Sequence, residues 1–185
     1  MKLSIIISST RAERKGPSVA QWIESSARDS RLFDVELIDL KALNLPFMDE
    51  PNHPSLQQYT HQHTMDWSAR IDASDAFIFV TAEYNHGIPA PLKNAIDYLS
   101  KEWANKPVAM VGYGGISGGT RAIQQIKQVA TAVKLYAFDG VILPFFNSQI
   151  DEHEVFQPTD RNQKAADKMM EELAVLAEKF IRFRA

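Results

Sequence analysis

The sequence predicts an α/β protein built on one doubly wound parallel sheet with helices on both faces. Three observations lead there. Residues 3–8, 76–80 and 107–113 are continuous apolar runs rather than alternating ones, the pattern of strands covered on both faces. Amphipathic segments of helical period separate the runs, and such alternation forces crossover connections. No repeat, low-complexity tract or linker interrupts the 185 residues, a length suited to one domain spanning 1–185.

Each element follows from its local pattern. LSIIIS (residues 3–8) is β-branched and apolar, hence a strand. Pro17 and Ser18 open a helix that runs to residue 30, with Val19, Trp22 and Ile23 at helical spacing. FDVELIDL (33–40) alternates apolar and polar residues, as an edge or half-exposed strand does. Pro46, Pro51 and Pro54 make residues 41–60 an irregular loop. Residues 63–74 place Met65, Ala69 and Ile71 in helical register, and AFIFV (76–80) is the second buried strand. Residues 90–100 gather Leu92, Ala95, Ile96 and Leu99 on one helical face. PVAMVGY (107–113) is the third buried strand, and residues 118–133 form a helix with Ile123, Ile126, Val129 and Ala130 inward. Residues 135–143 read as a strand broken at Asp139–Gly140. Residues 163–183 read as a long helix with Met169, Leu173, Leu176 and Phe180 on one side.

Composition narrows the function classes. The formal net charge of −3, with no basic block, argues against nucleic acid and against a membrane surface. The absence of cysteine excludes disulfides, thiolate catalysis and cysteine-ligated metal sites, and suits a reducing, cytoplasmic setting. The apolar run at the N-terminus is too short for a signal peptide or a bilayer span. His61 and His63 form a His-x-His pair with no acidic partner placed by spacing, a weak case for metal.

In an open parallel sheet, ligands bind beyond the carboxyl ends of the strands. Three loops of unusual composition emerge there. SSTRAERKGPS offers hydroxyls, guanidiniums and a helix N-terminus, which together suit an anion, although Ser18 is equally a helix cap. TAEYNHG concentrates Glu83, Tyr84, Asn85, His86 and Gly87 directly after a buried strand; Asn85 and Gly87 suit left-handed turn positions. GYGGISGGT lets a backbone approach a flat ligand, or simply packs a strand–helix turn. Neither a P-loop nor a G-x-G-x-x-G after the first strand is present. Phe47, Met48, Trp67 and Trp103 fit either a subunit interface or internal packing, and Phe145–Phe146 either a cover over the ligand of a neighbouring subunit or the end of the core.

Taken together, these loops resemble those of the NADPH-dependent FMN reductases of the flavodoxin-like fold, a group that includes small quinone, chromate and azo-dye reductases. The resemblance spans roughly residues 3–135. Ser9–Thr10–Arg11 with Ser18 is similar to the family's phosphate loop; TAEYNHGIPAPLKNAIDYLS is similar to its P-E-Y-N segment; GYGGISGGTRA is similar to its third flavin loop. Ala82 stands where the family often has proline, and the first loop is longer, with Arg14 and Lys15 inserted.

The resemblance implies a five-stranded sheet of order 2-1-3-4-5 with FMN at the point where strand order reverses. It implies that Ser9, Arg11, Lys15 and Ser18 hold the phosphate. Glu83, Tyr84, Asn85, His86 and Gly87 would line the ring, with Tyr113, Gly114 and Gly115 along its other side. It further implies ping-pong hydride transfer from NADPH to FMN N5 and on to a small-molecule electron acceptor, in a homodimer or tetramer, with no catalytic side chain and no metal. Arg14 and Lys15 would meet a 2′-phosphate. The competing expectation is a flavin-binding electron carrier without a nicotinamide site, which shares the fold.

Overall fold

A computed structural model describes residues 1–185. Its centre is a five-stranded sheet of order β2-β1-β3-β4-β5. The strands are β1 (Lys2–Ile7), β2 (Asp34–Asp39), β3 (Ala76–Ala82), β4 (Pro107–Tyr113) and β5 (Tyr136–Leu143), and every pairing is parallel. This is the flavodoxin-like order. β2 and β5 are its edges, so the alternation in β2 was a reliable mark of a half-exposed strand.

Six helices connect and flank the strands: α1 (Gly16–Ser30), α2 (Leu40–Leu43), α3 (Gln62–Asp72), α4 (Ala90–Asp97), α5 (Thr120–Ala132) and α6 (Asp160–Arg184). Side chains alternate across β3, and that alternation divides the core in two. Ala76, Ile78, Val80 and Ala82 face one layer with Val19 and Ile23 of α1 and Met169 and Leu173 of α6. Phe77 and Phe79 face the other, with Trp67 of α3, Leu92 and Ile96 of α4, and Ile123 and Ile126 of α5. The second layer is aromatic. Trp103 meets Phe77 at 5.0 Å and Trp67 at 6.0 Å, both edge to face, a geometry that favours aromatic pairs. Trp67 and Trp103 are thus core residues, whereas Phe47 and Met48 stay exposed.

Several boundaries differ from the sequence expectation. β5 is bulged, not broken: pairing slips between Met110 and Val111, and Gly140 takes up the extra residue. A Cβ there would collide with Met169 Sδ and lie 2.8 Å from Met110 O, so only glycine fits against α6. The loop at 41–60 holds α2 and a single 3₁₀ turn, Pro54–Leu56. α6 begins at Asp160, because Thr159 and Asn162 form a capping box. α1 begins at Gly16 with Lys15 as the unbonded cap, so Ser18 does not cap the helix. No helix is long and apolar enough to cross a membrane.

Candidate functional site

The loops after β1, β3 and β4 converge at the carboxyl edge of the sheet around a cavity of about 230 Å³. Arg11, Glu13, Arg14 and Lys15 come from the first loop, Ala82, Glu83 and Tyr84 from the second, and Tyr113 and Gly114 from the third. Phe146 and Asn147, which follow β5, close it.

In the first loop, the two serines point inward. Tyr113 Oη donates to Ser9 Oγ at 3.1 Å, and burial pushes the Tyr113 phenol up to about 12. Gly16 is required beneath them, since a Cβ would lie 2.5 Å from Tyr113 Oη and 2.6 Å from Ser9 Oγ. Ser18 Oγ accepts from Phe156 N–H at 2.6 Å. Arg14 is committed elsewhere: both terminal guanidinium nitrogens bond to Asp39, and one also donates to Ser9 O. The hydrogen bond to Asp39 raises the Arg14 pKa, and the same bond holds Asp39 below its ordinary value. Arg14 therefore braces the β1 loop against β2. That leaves Arg11, exposed on the cavity rim, and Lys15, paired with Glu154, as the cations facing the cavity.

The second loop is a tight hairpin. Tyr84 and Gly87 exchange backbone hydrogen bonds of 2.9 and 3.2 Å, and the two residues between them, Asn85 and His86, have φ of 49° and 66°. Two positive φ angles are the signature of a type I′ turn. Gly87 has an ordinary φ, so the left-handed pair is Asn85–His86 rather than Asn85 and Gly87. Glu83 does not face a ligand as an acid. It accepts from Arg121 N–H at 3.0 Å and pairs with the Arg121 guanidinium at 2.8 Å. Burial pushes its pKa up, but the bonds from Ser117 and Arg121 outweigh that and bring it below the ordinary glutamate value. Gln125 adds a second tie, bonding His86 O and Ile88 N–H. Glu83 and Gln125 thus pin the second loop to α5. Pro89 and Pro91 then start α4.

The third loop turns on Gly118 and Gly119, both at positive φ. Gly114 and Gly115 are not left-handed; their carbonyls accept from Phe146 N–H and Phe145 N–H, tying this loop to the one after β5. Phe146 meets Tyr113 edge to face at 4.9 Å, so it both finishes the core and walls the cavity. Asn147 is a lining residue that the sequence reading does not single out; Phe146 is expected there as either a ligand cover or the end of the core.

A second cavity, about 550 Å³, lies on the β2 side between Thr10, residues 40–47 and the start of α4. Its outer wall, Pro46–Phe47, is stitched to α4: Asn94 Nδ2 donates to Pro46 O at 2.7 Å, and Asn94 Oδ1 accepts from Met48 N–H at 3.1 Å. Tyr98 Oη sits 3.0 Å from Asp49 Oδ1 and 3.1 Å from Pro46 O. His61 and His63 stack on each other, and His63 bonds the Asp49 carboxylate at 3.0 Å. The histidine pair therefore anchors a loop.

The sheet order defines a flavodoxin-like α/β protein, and at its β1–β3 switch point lies a cavity lined by charged and aromatic side chains. Residues 1–148 match the family model described as NADPH-dependent FMN reductase, and the chain belongs to that family of enzymes. It is 41% identical over 136 residues to an NAD(P)H-dependent FMN reductase of Schizosaccharomyces pombe, covering 72% of this chain and 68% of that one. It is 36% identical over 152 residues to an NAD(P)H-dependent FMN reductase of Saccharomyces cerevisiae, covering 76% and 79%. Among solved structures, the fold matches FerB, a flavoenzyme NAD(P)H:(acceptor) oxidoreductase from Paracoccus denitrificans, with TM-score 0.73 at 18% identity, covering 97% and 98%.

Proposed function

We propose that the smaller cavity holds FMN and that the chain passes reducing equivalents from NAD(P)H to a small acceptor of the quinone or flavin type, in ping-pong fashion. The supporting observation is the convergence of three loops on one cavity whose lining combines cations with aromatic side chains. The donor chemistry fits the cofactor. Arg11 and Lys15 suit a phosphate, through charge-assisted bonds worth about 1.5–3 kcal/mol each. Tyr84, Tyr113 and Phe146 suit a planar ring. The larger cavity offers Lys41 as its cation and draws only Thr10 from the three loops, so it fits the phosphate less well.

When bound, the flavin supplies the hydride and electron chemistry itself. The chain's own residues bind and orient. Arg14–Asp39 fixes the phosphate loop against β2. Glu83 and Gln125 hold the hairpin so that its main chain and Tyr84 keep their place at the ring. Ser9 and Ser18 set the inner face of the loop, Gly114 admits close approach, and Asn85, His86, Gly87 and Gly115 shape the turns beside it. Phe47 is 83% exposed and Met48 half-exposed beside the larger cavity, which supports a homodimer with that rim at the interface.

The test is a flavin titration of the full chain followed by anaerobic addition of NADPH and NADH. Quenching of flavin fluorescence and bleaching of the bound flavin by a nicotinamide are expected. A protein that takes up no FMN sinks the cavity assignment; one that binds FMN yet is not reduced by either nicotinamide sinks the oxidoreductase cycle. Sedimentation as a monomer at micromolar concentration sinks the dimer.

A further inference from the structure

The phosphate loop already has an anion on it. Lys15 lines the smaller cavity, and its ammonium is paired with the carboxylate of Glu154, 139 residues away in sequence. Glu154 sits in a loop between β5 and α6 that is organised to hold it there. Asp151 Oδ1 accepts from His153 N–H and Val155 N–H, both at 2.9 Å, and Asp151 Oδ2 accepts from Gln157 Nε2 at 2.7 Å. The loop then docks on α1: Phe156 N–H donates to Ser18 Oγ, and the Phe156 ring lies 5.1 Å from that of Trp22. One short loop therefore meets two residues of the phosphate loop, one with a carboxylate and one with an N–H.

We propose that Glu154 is a stand-in for the flavin phosphate: it neutralises Lys15 until a phosphate displaces it, and so sets how strongly the site selects a phosphorylated flavin over an unphosphorylated one. The inference rests on the smaller cavity being the flavin site. Two features make Glu154 displaceable. Its side chain is 72% exposed, and exposed ion pairs contribute little, so releasing the pair is cheap. Its φ is 63°, a left-handed conformation that non-glycine residues hold at a cost, so the loop is not in its most relaxed geometry. A phosphate dianion brings more charge to Lys15 than a carboxylate does and also reaches the unpaired cation Arg11. An unphosphorylated flavin gives neither and leaves the pair intact.

The experiment compares FMN with riboflavin as ligands of the full chain freed of flavin, by quenching of flavin fluorescence, in wild type, Glu154→Gln and Glu154→Gly. The glycine variant keeps the left-handed turn at lower cost while removing the carboxylate. Both variants are expected to bind FMN more tightly, on the order of five-fold, with riboflavin affinity unchanged. An FMN to riboflavin ratio that neither variant moves overturns the proposal. So does weaker FMN binding in Glu154→Gln, which would make Glu154 a residue that positions Lys15 for the phosphate. Wild type binding FMN no tighter than riboflavin overturns the phosphate-loop assignment along with the proposal, and that result is distinct from the other two.

Discussion

The turns after β3 and β4 both pass through left-handed backbone, but with different residues. After β4 the residues are Gly118 and Gly119; after β3 they are Asn85 and His86. Packing accounts for the first pair. A Cβ on Gly118 would lie 2.7 Å from Ile142 Cγ2, and one on Gly119 would lie 2.9 Å from Gly112 Cα. The β3 turn is exposed, so nothing steric demands glycine, and the chain carries the left-handed cost of two side chains there. The contrast separates a turn dictated by the core from a turn left free to carry side chains beside a site. Glu83 joins the two, leaving β3 and capping α5, which starts where the glycine turn ends.

The largest effect expected is at the packed turn. Gly119→Ala adds a side chain at φ 89° against backbone and should cost about 2–3 kcal/mol, read as a lower urea midpoint. A loss below about 1 kcal/mol would show that this turn shifts freely and would erase the contrast. Glu83→Gln should cost about 1–2 kcal/mol at neutral pH, since it weakens charge-assisted bonds to a nearly buried side chain. Its pH dependence has a definite sign. The folded-state pKa lies below the ordinary glutamate value, so Glu83's contribution is complete above that value and is lost as pH falls through the folded pKa. Urea midpoints at neutral and acid pH should therefore converge between wild type and Glu83→Gln as the solution is acidified; a constant gap would contradict the linkage. The smallest effect is at the exposed turn. His86→Gly relieves a left-handed side chain and should stabilise by about 1 kcal/mol, raising the melting temperature. No gain would mean that the His86 side chain makes contacts that offset its strain, and the two turns would be more alike than the backbone suggests.

Much of the fold was legible. Continuous apolar runs gave the three central strands, and alternation marked β2 as an edge, because a strand's side-chain period reports directly on which faces are covered. The convergence of the three loops on one cavity was legible too, since these loops all leave the carboxyl ends of parallel strands. What each side chain does within those loops was less so. Ser18 looked like a cap and bonds the backbone of Phe156 instead; Arg14 looked like a phosphate ligand and is spent on Asp39. Gly87 looked left-handed, yet His86 holds that position.

The sequence by itself determined the element order, the two-layer core and the clustering of polar loops on one edge, because periodicity and turn chemistry are local. Only the tertiary structure decided which polar groups stay free. Arg11 is left over because Asp39 claims Arg14, and Lys15 faces the cavity through Glu154, a partner from a distant loop. A charged group's availability depends on every neighbour folding brings within reach. Those neighbours, 25 and 139 residues away in the chain for Arg14 and Lys15, carry no local signal.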